Sequence, residues 1–226
     1  MKMEQSLQKR TSFLKVILIP TVVAITMAII ELTPAAQAYR QTMGVFEFLS
    51  HVISGAPYYF ALILVLAAAF PVTYCMFKES GIKLGSCIIN KKKLPLDIVS
   101  GILAAALSYG FSFLVNQVIL RYPVWRPGFN GIWILSFFSL VLASGFFKEI
   151  YFRGLANHFL KTELGEWPAF LLINLLFAVL DWQNLGMSFV YGLIWIYFYR
   201  KRNRMIVPII GHGFHNLIAM SIGFLI

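Results

Sequence analysis

Charge is what this sequence has least of. Asp, Glu, Lys and Arg together make up 12% of the 226 residues, and only nine of those residues are acidic. Soluble globular domains carry about 25% charged residues, so this composition excludes an ordinary soluble chain. Cysteine is nearly missing as well. Cys75 lies inside an apolar block and Cys87 beside a basic loop, which excludes a disulfide framework or a Cys-based metal finger. The H-E-x-x-H pattern of a two-histidine metallopeptidase helix does not occur. Neither an internal repeat nor a pair of broken helices is visible, which weighs against a transporter or channel subunit.

What is present in quantity is apolar side chain: 59% of residues, a mean hydropathy of +0.77, gathered into long blocks. Spans of about 20 residues are expected at 13–30, 56–77, 98–120, 132–147, 167–180, 185–199 and 205–226. The fold class is therefore all-α, a polytopic membrane bundle of seven helices. The count rises to eight if the short runs 45–53 and 155–160, otherwise interfacial, belong to a further span. The net charge of +10 sits in short loops, not on a basic soluble face, so nucleic acid is excluded as a partner. With the N-terminus inside, Lys2, Lys9, Arg10, Lys78, Lys83, Lys91 to Lys93, Lys148, Arg153, Lys161 and Arg200 to Arg204 are cytoplasmic. Only Arg40, Arg121 and Arg126 then lie outside, as positive-inside bias requires. A basic start, an apolar stretch and Ala36-Gln37-Ala38 also fit a signal peptide. The longer apolar core favours an ordinary membrane span in an integral membrane protein.

Ionisable side chains in or near hydrocarbon cost roughly 2.5 to 3.5 kcal/mol each on insertion scales, so they pair, face a wet cavity or carry function. Four groups qualify: Lys148, Glu149 and Arg153; Asp181; His212, His215 and Asn216; and, more weakly, Asn116 and Gln117. Glu149 and Arg153 are four apart and stack on one helix face, whereas Lys148 points about 100° away from Glu149 and suits a snorkelling cation. His212 and Asn216 also share a face, with His215 on a neighbouring stripe. Gly211 and Gly213 beside them permit close approach. A metal ion held by Glu149, Asp181, His212 and His215 is a minor alternative; His212 and His215, three apart, reach one ion only through strained rotamers. No cofactor is expected.

The order of these groups resembles the CAAX protease and bacteriocin-processing family of intramembrane peptidases, whose motifs are E-E-x-x-x-R, F-x-x-x-H and H-x-x-x-N/D. The matching positions are Lys148-Glu149 with Arg153, Phe177 with Asp181, and His212 with Asn216. Trp167-Pro168-Ala169, Gly192 and Val207-Pro208-Ile209 agree in support. The resemblance divides the chain into N-terminal helices and loops over 1–130 and a CAAX-protease-like core over 131–226. It implies an endopeptidase of a bacterial plasma membrane. The substrate would be a hydrophobic peptide, a bacteriocin or signal precursor, or a membrane-protein tail, cut near the cytoplasmic face. Glu149, Arg153, Asp181, His212 and Asn216 would be catalytic, with Phe177 and His215 secondary.

Two positions depart from the family pattern. The first Glu of the pair and the His of F-x-x-x-H, which help polarise the attacking water in the family, are Lys148 and Asp181 here. A charged ammonium accepts no proton. The two residues are instead complementary in charge, and an ion pair between them is expected if the fold brings them together. Catalysis then rests on Asp181 or Glu149 as base, with His212 and Asn216 assisting, or on a neutral Lys148. The alternative is a family member without activity, serving as a bacteriocin self-immunity factor or membrane scaffold.

Overall fold

The structure, a computed structural model, describes residues 18, 20–22, 25, 26, 67, 70, 71, 73–78, 81, 88–121, 134, 137–181 and 185–222. Most of the expected spans 13–30 and 56–77 lies outside them, as do the run 45–53, Ala36-Gln37-Ala38 and Cys87. Every regular element among the described residues is helical.

Helix α1 runs Lys91–Ile119. Asn90 starts it by accepting from the Lys92 amide at 3.1 Å. Pro95 follows in the first turn, where its missing N–H costs nothing, and Asp97 sits at the positive end of the helix dipole. At about 1.5 Å per residue, the 29 residues reach about 43 Å, more than a hydrocarbon core of about 30 Å. Among the described residues this is the one helix long and apolar enough to cross a membrane. The expected seven spans therefore reduce to an all-helical fold with one such helix described.

Helix α2 is a continuous run through Phe137–Ser144, Gly145–Glu149, Ile150–Ala156 and Asn157–Leu164, the first and third of these wound as π-helix. The block 155–160 is thus neither an interfacial helix nor a separate span. Leu155, Ala156 and Leu160 are wholly buried, and that apolar surface holds the chain helical past Arg153. Gly165, at φ +82, ends α2, donating its amide to the Lys161 carbonyl at 3.1 Å in a backbone region that favours glycine. Helices α3 Glu166–Val179, α4 Leu185–Arg202 and α5 Ile206–Ile222 follow. Asn203 closes α4 at φ +52, the left-handed conformation that asparagine tolerates best among residues with a side chain.

Polarity in this bundle is reversed relative to a soluble protein. On α1 the outward residues are Leu96, Val99, Leu103, Leu107, Leu114 and Val118, while Asp97, Ser100, Gly101, Ala104, Ala105 and Ser108 are buried. On α3 the outward stripe is Trp167, Leu171, Leu175 and Val179, and the buried face carries Asn174. Small and polar residues in the seams with bulky apolar ones outside is the arrangement lipid selects, since hydrocarbon gives leucine no reason to hide. The α1 seam packs most extensively on α5. Helices α2 and α5 approach where Gly145 faces Gly213; a Cβ on Gly145 would lie 3.3 Å from the Gly213 nitrogen. The centre is filled by Phe152, Phe177 and Trp195.

Candidate functional site

Helix α2 delivers Lys148, Glu149 and Arg153 to the bundle centre, α3 delivers Phe177, and α5 delivers His212, His215 and Asn216. Glu149 is fully enclosed, with Arg153 at 1% and His212 at 5% exposure. The Glu149 Oε1 lies 2.9 Å from His212 Nδ1, and Oε2 lies 3.1 Å from Arg153 Nε as an ion pair. That pair is not aligned as a hydrogen bond, for both atoms are otherwise unsatisfied. Arg153 also donates through Nη2 to the Gly192 carbonyl at 3.4 Å and lies 4.4 Å over the Phe177 ring. Because a guanidinium stays charged when buried, Arg153 requires a counter-charge, and Glu149 is the carboxylate within reach. An ionised Glu149 only accepts, so Nδ1 of His212 carries the proton and Nε2 keeps its lone pair.

The imidazole is fixed on its other sides by aromatic rings. Trp195 stacks on it at 4.4 Å between centroids and 18° between planes, and Phe177 meets it edge-on at 5.6 Å. Lys148, half-buried, puts its Nζ 5.6 Å from the centre of the same Phe177 ring. Lys148, Arg153 and Asp181 are the charged groups that act on the His212 ring.

The shared face of His212 and Asn216 turns both toward α2, where Asn216 donates to the Leu140 carbonyl at 2.9 Å. The acceptor belongs to a π segment, whose wider turns leave carbonyls open to such capping. His215, on the neighbouring stripe, faces α1 and α4. Its Nδ1 lies 2.9 Å from Ser108 Oγ, which also accepts from Trp195 Nε1 at 3.3 Å and reaches the Ala105 carbonyl at 3.1 Å. Ser108 has one proton to give; with Ala105 taking it, His215 is the donor to Ser108. Asn116, in the π turn that ends α1, donates to Ser112 at 3.2 Å.

The expected Lys148–Asp181 ion pair is not formed. The ion pairs of 4.0 Å or less among the described residues join other partners. Asp181 accepts instead from Ser188, just inside α4. The reason is placement: Asp181 sits in the turn that ends α3, close in sequence to the hydroxyl that satisfies it, while the Lys148 ammonium lies over the Phe177 ring. The donor atoms considered for a metal also face different partners. Glu149 and His212 bond each other, His215 turns to Ser108 and Asp181 to Ser188. Among the described residues no three of His, Cys, Asp and Glu are gathered.

Ser108, Asn174, Ser188, Tyr191 and Trp195 belong to this centre although the sequence did not single them out. Asn174 donates to the Phe189 carbonyl at 2.6 Å with its own Oδ1 enclosed and unpartnered. Its signal was present: an amide inside the apolar run LLINLLF bears the same insertion cost that drew attention to Asn116.

Residues 130–218 match the family described as Type II CAAX prenyl endopeptidase Rce1-like. That stretch contains every residue placed around Glu149 and His212 on α2 to α5. No curated protein and no solved structure matches the chain. This match over residues 130–218 is consistent with the CAAX-protease family that the motif order resembles.

Proposed function

We propose that this chain is a CAAX-protease-like intramembrane endopeptidase. It resides in a bacterial plasma membrane with its N-terminus in the cytoplasm and cleaves a hydrophobic peptide, such as a bacteriocin or signal precursor or a membrane-protein tail, near the cytoplasmic face. The observation that carries this reading is the Glu149–His212 hydrogen bond, which joins two motifs 63 residues apart inside the family-matching segment. A carboxylate orienting an imidazole is a recurrent device for moving protons in acyl transfer. Glu149, Arg153, His212 and Asn216 would hold the site and Asp181 its rim. A second reading has one specific support: Lys148 and Asp181 stand where the family has an acid and an imidazole. On that reading the protein binds its peptide without cutting it, as a self-immunity factor or scaffold. Purified protein in liposomes, incubated with precursor peptides beside Glu149→Ala and His212→Ala, separates the two. Cleavage lost in both variants supports the peptidase. Intact peptide throughout, with binding or immunity retained, supports the binder.

A further inference from the structure

We propose that His212 takes the proton from the attacking water and that Lys148 receives the oxyanion, so that the charges at this site act in exchanged roles. The inference rests on the peptidase reading above. It starts from two nitrogens that make no hydrogen bond or ion pair among the described residues. His212 Nδ1 is held by Glu149, and its Nε2 makes no hydrogen bond among the described residues. Lys148 has no ion pair among the described residues. Its ammonium and the His212 ring centre lie at the same distance, 5.6 Å, from the Phe177 ring centre. Both groups thus border the same aromatic ring, and Lys148 is near enough for its charge to act on the imidazole. Asn216, the other candidate oxyanion donor, spends its amide on Leu140.

The step balances without any co-reactant. The water oxygen forms a bond to the scissile carbonyl carbon as its proton passes to Nε2, and the carbonyl electrons move onto oxygen beside the Lys148 ammonium. Collapse breaks the C–N bond, and the proton on Nε2 goes to the departing nitrogen. A carboxyl and an amine leave, and His212 is neutral again. Glu149 touches no reacting atom and is a positioning residue. Preformed positive charge at a developing oxyanion is the larger of the two contributions.

The test uses the full chain in detergent micelles with a panel of hydrophobic hexapeptides and their phosphinate analogues, which carry a tetrahedral anion at the scissile position. The wild-type protein should bind a phosphinate at least about 100-fold more tightly than the parent amide. Lys148→Met should abolish that preference, Lys148→Arg should keep part of it, and Lys148→Glu, which restores the family's acid, should bind the phosphinate most weakly. No preference in the wild type, or tighter binding or faster cleavage in Lys148→Glu, overturns the role of Lys148. Nitrogen NMR of 15N-histidine protein, assigned with His212→Gln, should show the Nδ1–H tautomer in the wild type and in Glu149→Gln, and a mixture in Glu149→Met. The Nε2–H tautomer in the wild type overturns the role of His212. Phosphinate preference with uncut parent peptides would refute the peptidase reading and leave the anion site standing; cleavage without that preference would do the reverse.

Discussion

Replacing Gly192 with alanine should damage this protein more than any substitution of similar size. A Cβ at that position would lie 1.8 Å from Asn174 Oδ1, 2.9 Å from Asn174 Cγ and 3.2 Å from Arg153 Nη2. Asn174 cannot swing away freely, because its Nδ2 is tied to the Phe189 carbonyl on the same helix as Gly192. Overpacking of a filled interior costs about 1 to 3 kcal/mol. Loss of the Asn174 hydrogen bond adds about 0.5 to 1.5 kcal/mol, so about 1.5 to 4.5 kcal/mol is expected. Unfolding of the detergent-solubilised protein, by heat or by titrated denaturing detergent, measures the loss. The decisive comparison adds Asn174→Ala, which removes the obstructing amide. The double variant should be less destabilised than the sum of the singles by about 1 kcal/mol or more, as directly contacting residues are when they couple. Strict additivity, or a Gly192→Ala protein as stable as wild type, would refute the account of why this helix contact needs glycine.

Three further outcomes follow from the buried polar groups. Glu149→Ala leaves Arg153 enclosed at 1% exposure without a carboxylate, and breaking such a pair costs about 3 to 5 kcal/mol; Glu149→Gln should lose clearly less in the same unfolding assay. Ser108→Ala strands Trp195 Nε1 and His215 Nδ1 together, so a cycle with His215→Phe should give non-additive losses, each single change costing about 1 to 3 kcal/mol. Asp97 is fully buried and accepts from Arg202 Nε at 2.8 Å. Asp97→Ala should cost about 1.5 to 3 kcal/mol, whereas Glu166→Ala, which removes exposed pairs to Lys161 and Arg200, should cost less than about 1 kcal/mol.

What could be read in advance was whatever depends on spacing along one helix. The interval of four from Glu149 to Arg153 does produce a contact, and the interval from His212 to Asn216 does turn both side chains to one neighbour, because such pairs need no knowledge of the rest of the fold. Contacts between helices were legible only where charge forced a choice, and there the reading erred once. Lys148 and Asp181 are complementary, but complementarity says nothing about which nearer hydroxyl intervenes, and Ser188 does. The expected span end at residue 147 falls short for a related reason. The charges of Lys148, Glu149 and Arg153 mark an interface in the sequence, yet the guanidinium is buried against Glu149 and the helix continues. Ser108 and Trp195 carried no local signal at all, being ordinary residues on apolar helices until His215 meets them.

The reversed polarity of α1 and α3 bears on how this chain can change over evolutionary time. Positions such as Leu103, Leu107, Leu171 and Leu175 face outward, where one bulky apolar side chain serves lipid as well as another, so substitutions there should accumulate nearly neutrally. Gly101, Ala104, Gly145, Gly192 and Gly213 set interhelical distances and have few acceptable replacements. In distant relatives, the small side chains should therefore preserve the record of descent after the large ones have been exchanged.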